Sequence, residues 1–100
     1  MSESLPEILL FVIPIFPLGQ LVATPGALAS IPPEDIQLAL GRHASGDWGD
    51  LETGDKEAND RALVKGTRLL SVFESKQKIR FWIITEWDRS VTTILLPEEY

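Results

Sequence analysis

The chain has 100 residues, no cysteine and a formal net charge of −6. This length suits one domain with a single modest core, and 44% hydrophobic with 24% charged residues excludes wholesale disorder. Without cysteine, the chain forms no disulfide, thiolate nucleophile or cysteine-ligated zinc site, and this fits a reducing compartment. The negative charge argues against non-specific nucleic-acid binding by the whole surface.

The amino-terminal stretch from residue 8 to residue 18 is almost entirely apolar. It is shorter than the ~20 residues of a membrane span, and Pro14 and Pro17 interrupt it. It also lacks the positive start of an export signal, although Ala27-Leu28-Ala29 has the form of a cleavage site. We therefore expect no membrane association and a cytoplasmic protein. Residues 1–15 are predicted to be an apolar arm that packs on its own domain or on a second copy, and residues 16–100 a single domain.

The first half of the domain is predicted to contain one short strand and the start of the helical layer. The strand covers residues 19–24, and a helical turn with Thr24 as its cap and Pro25 at its first position follows. The first main helix covers residues 34–43, where apolar residues and the only histidine, His43, share one stripe. A buried structural histidine is the first interpretation, and a general acid or base is the second.

A loop rich in acids and glycine follows this helix. In the structural interpretation, Trp48 plugs a gap between helices and Asp47 or Asp50 caps a backbone amide. In the functional interpretation, Asp47, Asp50 and His43 surround one cleft. The second main helix is predicted over residues 54–65, with Thr53 as its cap and Gly66 as its stop.

Three strands, over about residues 67–74, 78–87 and 91–96, are predicted to form an antiparallel meander. The predicted register sets Glu74 against Lys78, Thr85 against Thr92 and Trp87 against Ser90. The fold class is therefore α+β: an antiparallel three- to four-stranded sheet, with the short amino-terminal strand and the meander, packed by two main helices. Both faces of this sheet are apolar, which predicts self-association, most simply a dimer.

Candidate functional residues fall in three places. The polar hairpin end and the acidic loop give a weak catalytic set of His43, Asp47, Glu86, Asp88 and Arg89. The predicted binding residues are Trp48, Asp50, Arg80, Trp82 and Ser90. The basic stretch from Arg61 to Arg80, with Phe73, Phe81 and Trp82 as stacking rings, is a candidate nucleic-acid surface. No cofactor and no metal site is predicted, since the histidine has no partner at a ligand spacing.

Four segments carry a family resemblance: Phe16-Pro-Leu-Gly-Gln-Leu-Val-Ala-Thr-Pro-Gly-Ala-Leu, Arg42-His-Ala-Ser-Gly-Asp-Trp-Gly-Asp-Leu, Arg68-Leu-Leu-Ser and the chain from Ile83 to Tyr100. Over residues 16–100 the chain resembles small bacterial plasmid-related proteins of plasmids and integrative elements. The resemblance implies no catalytic residue. The label of type I restriction endonuclease subunit M that some relatives bear does not fit, because the chain has neither a glycine-rich cofactor loop nor an Asn-Pro-Pro-aromatic motif.

Three functions follow as hypotheses. The first is a mobile-element accessory protein that acts by protein–protein interaction, through a dimer or a host protein. The second is a small hydrolase or nuclease-type enzyme, which requires His43 and the turn at Asp88-Arg89 to meet in one cleft. The third is nucleic-acid binding by the basic stretch.

Overall fold

The computed structural model describes residues 14–100. The predicted arm lies outside the described residues except for Pro14 and Ile15. Residues 14–100 form a four-stranded sheet with three α-helices and one 3-10 turn. In chain order the elements are β1 (Gln20–Ala23), α1 (Pro25–Ser30), α2 (Pro33–Ala44), α3 (Thr53–Lys65), β2 (Leu69–Glu74), β3 (Arg80–Thr85), β4 (Val91–Leu95) and η1 (Pro97–Glu99).

The α+β class is confirmed, with one correction to the sheet. Its strand order is β1-β4-β3-β2, and β1 runs parallel to β4, so the sheet is mixed rather than purely antiparallel. The backbone N–H of Gln20 donates to Ser90 O at 2.9 Å, and that of Thr24 donates to Ile94 O at 3.0 Å. The long connection through the helices and the meander makes a parallel pairing possible, because parallel strands need a crossover of a dozen residues or more.

Local signals set the start of α1 and the end of α3. The Thr24 hydroxyl accepts a hydrogen bond from the Ala27 N–H at 3.2 Å, and Pro25 opens α1 as predicted. Gly66 ends α3 in the left-handed conformation, with φ of 72°, also as predicted. The predicted cap at Thr53 was wrong: Glu52 occupies the cap position of α3 and makes no side-chain capping bond.

The meander keeps the central register and changes at the first turn. Thr85 pairs with Thr92 as predicted, but Glu74 pairs with Arg80 and not with Lys78. The first turn is longer because Ser75 N–H donates to Ile79 O at 2.9 Å and Lys78 takes a positive φ of 70°. A bulky residue seldom adopts that conformation, so a positive φ at Lys78 could not be predicted from its residue type. At the second turn β3 ends at Thr85, two residues before the expected Trp87.

The core lies between the sheet and the helices. Its larger cluster joins α1 and α2 to one face of the sheet: Ala27, Ile31, Ala39, Leu40, Phe73, Phe81, Ile83, Ile94 and Leu96. A smaller cluster contains Phe16, Trp48, Ala62 and Leu69. The sheet face that these helices cover is called the inner face, and the opposite one the outer face. No helix within residues 14–100 is long and apolar enough to cross a membrane.

The outer face is covered in part by the end of the described chain. Ile84 and Leu95 are buried there, and the Tyr100 ring meets the Trp82 ring edge-on, with centroids 5.6 Å apart. The chain reaches this face because Leu96 packs in the inner core while Tyr100, after the η1 turn, lies against β3. The apolar outer face is thus partly covered in cis.

Candidate functional site

A chain of buried hydrogen bonds around His43 crosses the middle of the sheet. The His43 side chain is 0% exposed, with its Nδ1 2.5 Å from Ser71 Oγ and its Nε2 2.9 Å from Thr85 Oγ1. Thr85 Oγ1 lies 2.7 Å from Thr92 Oγ1, and the Thr92 hydroxyl donates to the Leu18 carbonyl at 2.7 Å. The network therefore runs from β2 through β3 and β4 to the segment that precedes β1.

The last bond of this chain fixes the direction of all the others. Because Thr92 gives its only O–H to the Leu18 carbonyl, it must accept from Thr85. Thr85 has then used its own proton and must accept from His43 Nε2–H, which leaves Nδ1 to accept from the Ser71 hydroxyl. Every group is satisfied only when the imidazole is neutral with its proton on Nε2.

The surroundings of His43 also favour the neutral form. Burial and, secondly, the nearby charge of Arg89 lower the pKa of His43 from 6.5 to about 4. The rings of Phe16 and Trp48 both meet the imidazole edge-on, with centroids 5.3 and 5.5 Å away. An imidazolium would also need a new acceptor for the Ser71 proton. His43 thus supports the fold as a satisfied buried group, which agrees with the structural interpretation of its stripe position.

Arg89 and Asp88 are both used to hold the hairpin end in place. The Arg89 guanidinium donates from Nη1 to the Thr67 carbonyl at 2.6 Å and from Nη2 to the Ala62 carbonyl at 3.1 Å, which closes the end of α3. Asp88 accepts from the backbone N–H of Ser90 at 3.1 Å and from its hydroxyl at 2.6 Å. These bonds lower the pKa of Asp88. The hydrogen bonds of Asp88 and Arg89 thus stabilise the turn itself and attach it to the end of α3.

The candidate catalytic residues do not converge. His43 makes no hydrogen bond with the other four. Within residues 14–100 the bonds between members of the set all end on the Glu86 backbone carbonyl, which accepts from Arg89 Nη1 at 3.0 Å and from the Arg89 backbone N–H at 2.9 Å. The Glu86 carboxylate lies 3.7 Å from Arg68, outside the predicted set. Asp47 pairs with Arg42 at 2.7 Å, and this bond lowers the pKa of Asp47.

The acidic loop closes the edge of the sheet at β2. The Val72 N–H donates to the Trp48 carbonyl at 3.2 Å, and the Asp50 N–H donates to the Val72 carbonyl at 2.7 Å. Trp48 is 3% exposed, and its indole N–H donates to Asp60 at 3.0 Å, so the prediction that the ring plugs a gap is confirmed. Gly49 has a φ of 72°, and a Cβ there would lie 2.0 Å from the Val72 carbonyl oxygen.

Asn59 completes this closure, and sequence reasoning missed it. Its amide N–H donates to the Leu70 carbonyl at 2.6 Å, and its carbonyl accepts from the Leu70 N–H at 3.3 Å. One side chain thereby takes the place of a neighbouring strand. The available signal was an asparagine among α3 residues that were otherwise interpreted as surface. The network hydroxyls were missed as well, although Ser71, Thr85 and Thr92 are polar residues within apolar strands.

The opposite edge, at β1, is open. Gln20 and Thr24 direct their N–H groups at β4, so the alternation of a parallel strand directs the backbone groups of Leu21 and Ala23 outward. No residue from Pro14 to Tyr100 hydrogen-bonds those outward groups. The side chains of Leu21 and Val22 are 47% and 37% exposed. This edge has two N–H and two C=O groups without a partner among residues 14–100, beside exposed apolar side chains, and is the candidate functional surface.

The remaining predicted residues lie apart from this edge. Arg80 is exposed and pairs across the meander with Glu74, and Trp82 is half-buried on the outer face. Phe73 and Phe81 are 3% and 1% exposed in the inner core, so neither ring can stack on a base. Groups of acidic and histidine side chains able to hold a metal ion were not found among residues 14–100.

Comparison with protein-family models, with curated proteins and with solved structures found no match.

Proposed function

We propose that this chain is a non-enzymatic accessory protein of a bacterial mobile element, and that it acts by protein–protein interaction as a symmetric dimer joined through β1. The observation that carries the proposal is the open edge of β1. Unpaired N–H and C=O groups along an edge strand form a template for another strand, and natural sheets usually block them with charges, proline or a covering segment.

Neither charge nor proline blocks the β1 edge within residues 19–24, and no residue from Pro14 to Tyr100 hydrogen-bonds its outward groups. The segment Gly-Gln-Leu-Val-Ala-Thr contains no charged residue and no proline, and the side chains on both faces of its centre are apolar. A single exposed leucine would be ordinary on a protein surface. Exposed Leu21 and Val22 next to unpaired backbone groups are a different case, because pairing buries both kinds of group together.

The spacing of the free groups suits a twofold axis. In an antiparallel pair of β1 strands, Leu21 would exchange both hydrogen bonds with Ala23 of the second copy, and Ala23 would do the same with its Leu21. Four hydrogen bonds then form, and the two Val22 side chains meet at the axis as a non-hydrogen-bonded pair. The same patch serves both copies, as a closed twofold interface requires.

A dimer of this kind would be a continuous eight-stranded sheet. The hairpin end lies beside the start of β1, since Ser90 O accepts from the Gln20 N–H, and this end carries Trp87, which is 67% exposed. Exposed tryptophan is enriched among residues that dominate binding to partner proteins. Trp87 is therefore the residue through which we propose that the dimer contacts a host protein.

The two other hypotheses gain no support from the geometry. A hydrolase would need His43 to reach a substrate, and its side chain is 0% exposed with both ring nitrogens bonded. A nucleic-acid surface would need accessible rings beside the basic stretch, and two of its three candidate rings are in the core.

The dimer is tested by light scattering coupled to size-exclusion chromatography on the wild type, Val22→Lys and Val64→Lys. Val64 is 88% exposed on α3, so the same substitution there adds the same charge away from β1. The expected result is a dimer for the wild type and Val64→Lys and a monomer for Val22→Lys, because two lysines at the axis would repel. A monomeric wild type, or equal masses for the two variants, would refute the β1 dimer.

A further inference from the structure

We infer that the outer face carries a pocket for a small amphiphilic carboxylate, that is, a compact apolar or aromatic body with one negative charge. The pocket is called the outer pocket and has a volume of about 260 Å³. Its lining residues are Arg68, Leu70, Trp82, Ile84 and Tyr100. It lies over β2 and β3, and β2 is the edge strand opposite β1. The inference is therefore independent of the proposed dimer.

The floor of the outer pocket is apolar and is formed by two paired strands. Leu70 and Ile84 are a cross-strand pair of β2 and β3, and Trp82 lies two residues from Ile84 on the same face. Tyr100 forms a wall, with its ring at 62° to that of Trp82. The volume is slightly below the ~300–1,000 Å³ of ordinary ligand pockets, so a compact ligand is expected. An aromatic ligand could pack on the Trp82 and Tyr100 rings in the offset-stacked or edge-to-face geometry that aromatic pairs prefer.

Among the lining residues, Arg68 has the only charged side chain. Its Nη1 donates to the Tyr100 hydroxyl at 2.6 Å, and its Cζ lies 5.0 Å from the centre of the Tyr100 ring. The tyrosine therefore holds the guanidinium at the rim. Its Nη2 makes no hydrogen bond to any residue from Pro14 to Tyr100, so donors remain for a ligand. A guanidinium presents its N–H groups in a planar fork that matches a carboxylate.

The ion pair between Arg68 and Glu86 is weak enough for a ligand carboxylate to replace Glu86. Glu86 Oε1 lies 3.7 Å from Arg68 Nε, and the two side chains are 36% and 45% exposed. An exposed pair at this separation contributes little, because water screens it and both side chains lose freedom. A ligand carboxylate over the aromatic floor would sit in a less solvated position and form a stronger pair. One guanidinium matches one negative charge, which favours a monocarboxylate over a phosphate dianion.

The test uses naphthoate as the probe and naphthamide, its uncharged analogue, as the comparison. Proton–nitrogen NMR of the full chain resolves one indole N–H signal for each of Trp48, Trp82 and Trp87, and Trp82→Phe assigns the signal of interest. Naphthoate at millimolar concentration should shift the Trp82 signal and leave that of Trp48 unchanged. Naphthamide should bind roughly ten-fold more weakly, as expected for loss of a charged hydrogen bond.

Two matched variants distinguish binding by the Arg68 guanidinium from an effect of the net charge of the protein. Arg68→Gln should weaken naphthoate binding by roughly ten-fold without changing naphthamide binding. Lys56→Gln removes one positive charge from an exposed side chain on α3, away from the lining residues, and should change neither affinity. An unshifted Trp82 signal, equal affinities for acid and amide, or equal effects of the two variants would each overturn the inference. The wild-type measurements do not depend on the stability of any variant.

Discussion

The two edges of this sheet differ in whether their outward backbone groups have hydrogen-bond partners. At β2 the chain covers its own edge: Asn59 bonds both backbone groups of Leu70, and the loop at Gly49 bonds both groups of Val72. At β1 the outward groups of Leu21 and Ala23 have no partner among residues 14–100. The difference shows that edge closure here is a local property of particular side chains and one glycine, and not a property of the fold class.

The largest effect is expected from breaking the closed edge at its tightest point. Gly49→Ala would place a Cβ 2.0 Å from the Val72 carbonyl oxygen, at a φ of 72°. We expect a loss of about 3–5 kcal/mol in the free energy of unfolding, because the clash adds to the cost of the left-handed conformation. Urea denaturation provides the measurement.

Gly66→Ala is the control for that experiment. Gly66 has the same φ of 72°, but a Cβ there meets nothing within 4 Å. It should cost only about 1 kcal/mol, from the conformation alone. Similar losses for the two variants would show that the close approach of Gly49 to β2 contributes nothing.

The next largest effect is expected from pH, because the His43 network spans the sheet from β2 to the segment before β1. The folded pKa of about 4 lies below the unfolded value of 6.5, so the folded state binds fewer protons between these values. The contribution of neutral His43 to the free energy of unfolding should therefore be fully present above pH 6.5. It should decrease by roughly 3 kcal/mol as the pH falls to 4.

His43→Gln identifies the origin of that pH dependence. Glutamine can donate to one hydroxyl and accept from another without titrating. Unfolding curves of the wild type and this variant across the same pH range should differ in slope. If both lose stability equally between pH 6.5 and 4, the effect belongs to carboxylates and the interpretation of the network is wrong.

A smaller loss is expected when the side chain that replaces a strand is removed. Asn59→Ala leaves the N–H and C=O of Leu70 without partners at the β2 edge. The expected cost is about 1–3 kcal/mol. The Leu70 amide should also exchange its hydrogen faster, which proton–nitrogen NMR in heavy water would report. Unchanged exchange at Leu70 would mean that Asn59 does not protect the edge.

The smallest effect is expected at the open edge itself. Leu21→Lys should change the unfolding free energy of the monomer by no more than about 0.5 kcal/mol, because the side chain is 47% exposed. The measurement uses urea denaturation at a protein concentration where light scattering shows only monomer. A large loss would mean that β1 depends on Leu21 for its own packing, and the contrast between the edges would then weaken.

Much of the fold could be predicted because it follows from local rules. Proline and glycine at helix ends and the pairing of Thr85 with Thr92 needed only a short window of sequence. The parallel pairing of β1 with β4 could not be predicted, since hydrophobic alternation carries no information on which distant strand is the neighbour. The conformations of the two turns could not be predicted either, because Lys78 and Arg89 adopt a positive φ that neither residue type indicates.

The candidate site was predicted less well, for a chemical reason. Arg89 looked like part of a reactive set because a guanidinium can bind anions, but its N–H groups are bonded to the carbonyls of Ala62, Thr67 and Glu86. The sequence shows which donors exist and does not show which acceptors reach them. The open edge of β1 could not be predicted because its functional groups are backbone atoms, which every residue has.

The Leu18 carbonyl that ends the His43 network has a consequence for the order of folding. The hairpins of the meander join residues close in sequence, whereas the Thr92 bond to Leu18 spans a separation of 74 residues. Contacts at long separation are entropically costly and form late, so β1 is expected to dock onto a meander that already exists. Until it docks, Thr92 has no acceptor and the row of hydroxyls has no fixed direction. Pulsed hydrogen exchange during refolding should show the amide of Thr24 protected after those of β3.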